Sequence, residues 1–173
     1  MSDKSYLSVY AKSFSWAGFF LPRETLKKCS VLYDFCRVAD NIADDKDEIE
    51  VKEKKFAEFE NDFNQKKFDN LIIKNMWGIM DEFNISIKIV QDLLAGIKSD
   101  IKEKVEINSK KELLIYSYRV AGTVGLMMAK ILNVTKKNSL KSAIDLGIAM
   151  QLTNISRDAV SYTHLTLPTT EAV

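Results

Sequence analysis

The chain has 173 residues, a length that suits one domain and is enough to bury an ordinary core. With 46% hydrophobic and 28% charged residues it has the mix of a folded globular protein, not of a disordered one. Its 25 basic and 24 acidic residues nearly cancel, which argues against a nucleic-acid partner and the basic bias such binding requires.

No proline lies between Pro22 and Pro168, so long helices are unobstructed and little material is left for hairpin turns. The predicted fold class is all-α. Residues 5–20 form a Ser- and aromatic-rich segment that ends at Pro22, a residue suited to a helix start. A helix over 23–44 carries the apolar stripe Leu26, Cys29, Tyr33 and Cys36, with Lys27, Ser30, Asp34 and Asn41 opposite. Asp45 and Glu48 have the spacing of a capping box for a second helix that runs to about Lys66 with Phe56, Phe59 and Phe63 on one face. Helices near 68–82 and 86–104 follow. Asn108-Ser109 is the predicted cap of a helix over 110–132, and Asn138-Ser139 that of a last helix reaching at least Asp158. There is no repeat and no linker-like stretch.

Cys29 and Cys36, seven residues apart on one helix, lie roughly 10 Å apart along its axis and cannot bridge. Free thiols, an N-terminus without a leader pattern and no apolar run of spanning length predict a cytoplasmic protein, at most peripheral to a membrane. Trp16, Phe19 and Phe20 could touch a bilayer, although packing in the core is the more ordinary expectation. The single histidine, His164, lies near the C-terminus, so chemistry in the body of the chain must run on carboxylates, amides, tyrosines, arginines and lysines.

Three anomalies mark where that chemistry could sit. Asp40 continues the apolar stripe of helix 23–44, Asp44 follows four residues on, and Arg37 stands one turn before. Two carboxylates side by side at the negative pole of a helix repel each other unless a cation lies between them, and all-oxygen ligation suits Mg²⁺. The alternative is a solvated acidic helix end. On the last helix Gln151, Asn154 and Asp158 stack with Gly147 between Ile144, Ile148 and Ile155, which reads as an inward polar stripe serving a ligand, a wet cavity or neighbouring helices. Between them, Ala121, Gly122 and Gly125 allow a close approach by a ligand or by another helix.

Taken together, these segments resemble the squalene/phytoene synthase family of head-to-head prenyl transferases. Tyr33-Asp-Phe-Cys-Arg-Val-Ala-Asp40-Asn-Ile-Ala-Asp44 resembles its first aspartate-rich motif, and Gln151-Leu-Thr-Asn154-Ile-Ser-Arg-Asp158 the start of its second. Tyr116 to Gly125 resembles its Tyr…Val-Ala-Gly-Thr-Val-Gly segment, and Ser13-Phe14 to Leu21-Pro22 its N-terminal Ser-Phe…Leu-Pro segment. The resemblance covers residues 1 to about 160 and implies a helix bundle of the isoprenoid-synthase type. It implies that Asp40, Asp44, Asn154 and Asp158 hold Mg²⁺, with Mn²⁺ as a substitute. Ser13, Phe14, Tyr33, Arg37, Val120, Gly125, Gln151 and Arg157 would contact prenyl diphosphates, and Tyr116 would face the reacting carbons. The implied reaction joins two allylic diphosphates through a cyclopropylcarbinyl diphosphate. Phytoene from two geranylgeranyl diphosphates is the first expectation, squalene or dehydrosqualene the next. A reductive squalene synthase would also need NADPH. A non-catalytic relative acting in assembly, or a plain helical interaction module, is the contrasting reading.

The chain departs from the pattern at Tyr162, where the second motif has another aspartate, and at Tyr10, where some members carry histidine. From Ser161 the text turns Thr-rich and β-prone, so residues 161–173 are expected to be a non-native tail on a truncated domain. On that expectation the chain as written is inactive and exposes apolar faces, with poor solubility or a molten state.

Overall fold

The computed structural model describes residues 20–102 and 107–166, of which 159–166 are described as helical backbone. Every regular element among the described residues is helical. In chain order they are α1 (Arg23–Ala43), α2 (Ile49–Asn64), α3 (Leu71–Glu82), α4 (Ile87–Lys98) with a 3₁₀ turn at Ser99–Ile101, α5 (Lys110–Ser117), a π-helical segment (Tyr118–Gly122), α6 (Thr123–Ile131) and α7 (Lys137–Thr166).

Helix α1 is the spine. Its buried face runs through Cys29, Leu32, Phe35, Ala39 and Ala43. That line is rotated from the predicted Leu26–Cys29–Tyr33–Cys36 stripe, of which only Cys29 is fully buried, because α1 packs on α2, α3, α4 and α6 at once. Phe35 meets Phe59 and Phe63 of α2 at ring-centroid distances of 5.5 and 5.4 Å. Phe63 stacks on Trp77 of α3 at 5.3 Å, and the indole Nε1 donates to the Phe63 carbonyl at 3.0 Å, so Trp77 is buried with its polar edge satisfied. Both cysteines are free.

The helix ends follow local chemistry, with two corrections. The Asn70 side chain accepts from the Ile72 and Ile73 amides, and Ser109 Oγ accepts from Glu112 N at 3.1 Å, as the Asn108-Ser109 pair predicts. Asp45 does not cap α2. That helix begins after Glu48 with no side-chain cap bond, and Asp45 instead accepts from Lys46 N and Lys55 Nζ. Helix α7 begins at Lys137, which places Asn138 and Ser139 inside its first turn. It continues through Thr166, so the β-prone text after Ser161 starts out helical.

The π-helical segment splits the predicted 110–132 helix. Thr123 N bonds back to the Tyr118 carbonyl, a five-residue step that inserts one extra residue into the turn. Small residues clamp this segment on both sides. A Cβ at Gly96 would stand 2.8 Å from Arg119 Cβ and 2.9 Å from Val120 Cγ1, so α4 lies flush against it. On the other side, a Cβ on Gly125 would strike the Ala143 carbonyl oxygen, and one on Gly147 that of Ala121. The small residues at 121, 122 and 125 therefore serve a close crossing with α7.

Candidate active site

The acidic end of α1 is divided by its neighbours. Lys55 pairs with Asp45 and Asp47, and Lys52 Nζ donates to the Ala43 carbonyl at the end of the helix. Asp40 and Asp44 have no ion pair among the described residues, although Arg37 lies near enough to Asp40 to favour its charged form. Asp44 is the C-cap of α1, and its amide bonds to the Asp40 carbonyl at 2.8 Å. Burial pushes the Asp40 carboxyl up to about 6, and the Asp44 charge adds to that rise.

A third carboxylate faces this pair, one that inspection of the sequence did not single out. Asp100, in the turn after α4, is likewise pushed up to about 6, mainly by burial, with Asp44 adding to the rise. Its Oδ2 accepts from the Tyr116 hydroxyl at 3.1 Å, a bond that partly offsets the shift. Burial, the Asp100 charge and the more distant Asp40 and Asp44 all raise the Tyr116 phenol, which therefore stays protonated near neutrality. Among Lys98, Ser99 and Lys102, a lone acid at a helix end reads as solvated. Its only signal is that it lies three residues after Ile97 and beside Ile101, both buried.

A groove of about 420 Å³ opens between α6 and α7. Val120, Val124, Met128, Leu146 and Met150 give it an apolar lining, and Gln151 and Asn154 lie at its polar edge. Val120, Gly125, Gln151 and Asn154 thus share one concavity, and Val120 stands about one helical turn from Tyr116. The apolar liners on α6 and α7 were not anticipated, because the α7 stripe was read only for its polar members.

The remaining residues separate. Tyr33 and Arg37 are half-buried on α1. Asn154, Arg157 and Asp158 are exposed, and Arg157 Nε donates to Asp158 Oδ1 at 3.1 Å. The inward polar stripe expected on α7 is therefore inward only at Gly147 and, in part, Gln151, because α7 packs on α5, the π segment and α6 and makes no comparable contact with α1. Phe20 is 74% exposed, so the core-packing expectation fails for it. Ser13, Phe14, Tyr10, Trp16 and Phe19 lie outside the described residues. No described helix is long and apolar enough to cross a membrane.

The described helices thus gather carboxylates from two elements around a phenol, about one helical turn from a residue that lines an apolar groove. Comparisons with known proteins give the family. The family model described as "Squalene/phytoene synthase" matches residues 7–165, and the chain belongs to that family. It is 31% identical over 170 residues to a 15-cis-phytoene synthase of Pantoea ananas, covering 91% of this chain and 55% of that one. It is 29% identical to the chloroplastic phytoene synthase 1 of Zea mays, covering 86% of this chain and 38% of the relative. Among solved structures, a dehydrosqualene synthase in complex with ligand matches with a TM-score of 0.68 at 30% identity, over 86% of this chain and 52% of that one. A squalene synthase from Alicyclobacillus acidocaldarius matches with a TM-score of 0.72 at 17% identity, over 84% of this chain and 56% of that one, a likeness of fold alone. The chain spans about half the length of the curated relatives it matches first.

Proposed function

We propose that this chain serves the head-to-head condensation of two prenyl diphosphates, with two geranylgeranyl diphosphates giving phytoene as the leading reaction. The phytoene synthases at 29–31% identity support that product. Dehydrosqualene or squalene synthesis is the second reading, supported by the dehydrosqualene synthase structure at 30% identity, and a reductive squalene synthesis would add NADPH. The observation that carries the reading is the grouping of Asp40, Asp44 and Asp100 around the Tyr116 phenol, next to an apolar groove.

The donor set fits a hard divalent cation. Asp40 and Asp44 offer oxygen ligands, while the Cys36 thiol, which burial pushes far up, stays protonated and does not compete. Among the described residues no three acidic, histidine or cysteine side chains already form a metal cage. Mg²⁺ needs none, since it is commonly held by one or two carboxylates plus substrate phosphate oxygens. Asp40 and Asp44 would hold Mg²⁺, or Mn²⁺ in its place, and Asn154 and Asp158 are the proposed ligands from α7. The ion would supply positive charge to the departing diphosphate.

The chain's own groups do the rest. Arg37 adds a fixed cation near the same oxygens. The groove between α6 and α7 takes a prenyl chain and keeps water from an allylic cation, with Gln151 at its polar edge. The Tyr116 ring presents its electron-rich face to positive charge. Exposed Phe20 offers a contact for a lipid surface from which such substrates come. Since the chain as written is expected to be inactive, the test incubates labelled geranylgeranyl or farnesyl diphosphate with the chain fused to the C-terminal half of a phytoene synthase relative. A C40 product from the first is the expected result, a C30 product from the second alone supports the alternative, and neither product under any divalent cation contradicts both.

A further inference from the structure

We propose that Asp100 is a positioning residue for Tyr116, accepting a hydrogen bond from its hydroxyl and fixing the phenol beside the acidic end of α1. Its consequence for turnover rests on the proposed function above; the geometry does not. Asp100 Oδ2 lies 3.1 Å from the Tyr116 hydroxyl, while Asp100 Oδ1 is buried with no hydrogen-bond partner among the described residues. A carboxylate held with one oxygen unsatisfied costs stability, because the lost hydration is not replaced. Its presence there is explained by what it does to the phenol.

The backbone around the pair is built to hold it. Ile101 is buried next to Asp100, and Ser99 Oγ donates to the Gly96 carbonyl, which pins the turn. Gly96 in turn lies against Arg119 and Val120, so the end of α4 cannot slide along the helical run that carries Tyr116. Tyr116 lies just before the π segment and meets Asp100, while Val120 within the segment and Val124 after it line the groove. Around the phenol, Asp40 and Asp44 act from α1, and Ser99, Lys102, Glu112 and Arg119 share a hollow with it. Donation to a carboxylate sets the rotation of the hydroxyl and leaves the ring more electron-rich, both useful to a ring that must face a cation.

The test uses the full chain with ¹³Cζ-labelled tyrosine, the Tyr116 signal being assigned by its loss in Tyr116→Phe. At pH 7 the signal should stand apart from free tyrosine, move part of the way back in Asp100→Asn and all the way in Asp100→Ala. Asp100→Asn should melt no lower than the wild type. A Tyr116 signal that does not move in either variant, or a lower melting temperature for Asp100→Asn with an unmoved signal, overturns the proposal. In turnover by the chain fused to the C-terminal half of a relative, Asp100→Asn should lower kcat at least about tenfold with KM little changed, and adding it to Tyr116→Phe should cost nothing further. Losses that multiply overturn the positioning role while leaving the prenyl chemistry intact. Absence of prenyl diphosphate turnover overturns the proposed function, and the ¹³C signal still decides the Asp100–Tyr116 pair.

Discussion

At the residue scale, the informative feature is a carboxyl group placed where a helix least favours it. Asp40 sits near the negative pole of α1, half-buried, with Asp44 one turn further on. Its carboxyl is raised from 3.8 to about 6, first by burial and then by Asp44. An acid with a raised pKa in the folded state penalises folding once it ionises. The penalty is absent below about pH 4, grows as pH rises toward about 6 and is complete above that. Asp40→Asn should therefore raise the melting temperature at pH 7.5 and leave it nearly unchanged at pH 4, as followed by circular dichroism. An equal gain at both pH values would contradict this. Divalent-cation binding should weaken as pH falls below about 6, since protons then compete for the same oxygens. Asp40 and Asp44 were legible in the sequence because they interrupt an apolar stripe. Asp100 was not, because an acid among lysines looks solvated, and only the fold brings Tyr116 onto it.

At the element scale, the helix pattern and most of its ends could be read from spacing, down to the phenylalanine face of α2 and the Ser109 cap. The π segment could not. Its extra residue leaves the local composition helical and shows only in the bond from Thr123 N to the Tyr118 carbonyl. The crossing it allows makes the glycines unequal. Gly125→Ala forces a methyl group into the Ala143 carbonyl and should destabilise by about 1–3 kcal/mol. Gly78 on α3 has no atom within 4 Å of its Cβ position, and Gly78→Ala should stabilise by up to about 1 kcal/mol through helix propensity. Urea unfolding of the two variants checks the contrast, and a similar change in both would sink the crossing as the reason for Gly125.

At the scale of the whole molecule, the core is lopsided. Its buried side chains come from α1–α4, Ile85 in the loop before α4, the turn after α4, and Met127 and Ile131 of α6, whereas among the described residues α7 contributes a buried glycine and leaves Leu146 and Met150 at 63% and 49% exposure. Hydrogen exchange should find the amides of α1 and α3 opening only with global unfolding and those of α7 at distinctly lower free energy. Uniform protection would contradict the asymmetry. The same imbalance explains why the polar stripe of α7 was misread: period shows which residues share a face, but not whether another helix covers it, and Asn154 and Asp158 are uncovered among the described residues. The proposed function requires that Asp40 and Asp44 bind the anionic head of a prenyl diphosphate through a divalent cation. Calorimetric titration of the protein with geranylgeranyl thiodiphosphate, which resists ionisation, tests it most directly. Binding in Mg²⁺ should be saturable and should weaken at least tenfold, ~1.4 kcal/mol, on chelation and equally in Asp40→Asn/Asp44→Asn. The same affinity with and without Mg²⁺, or in the double variant, would contradict it.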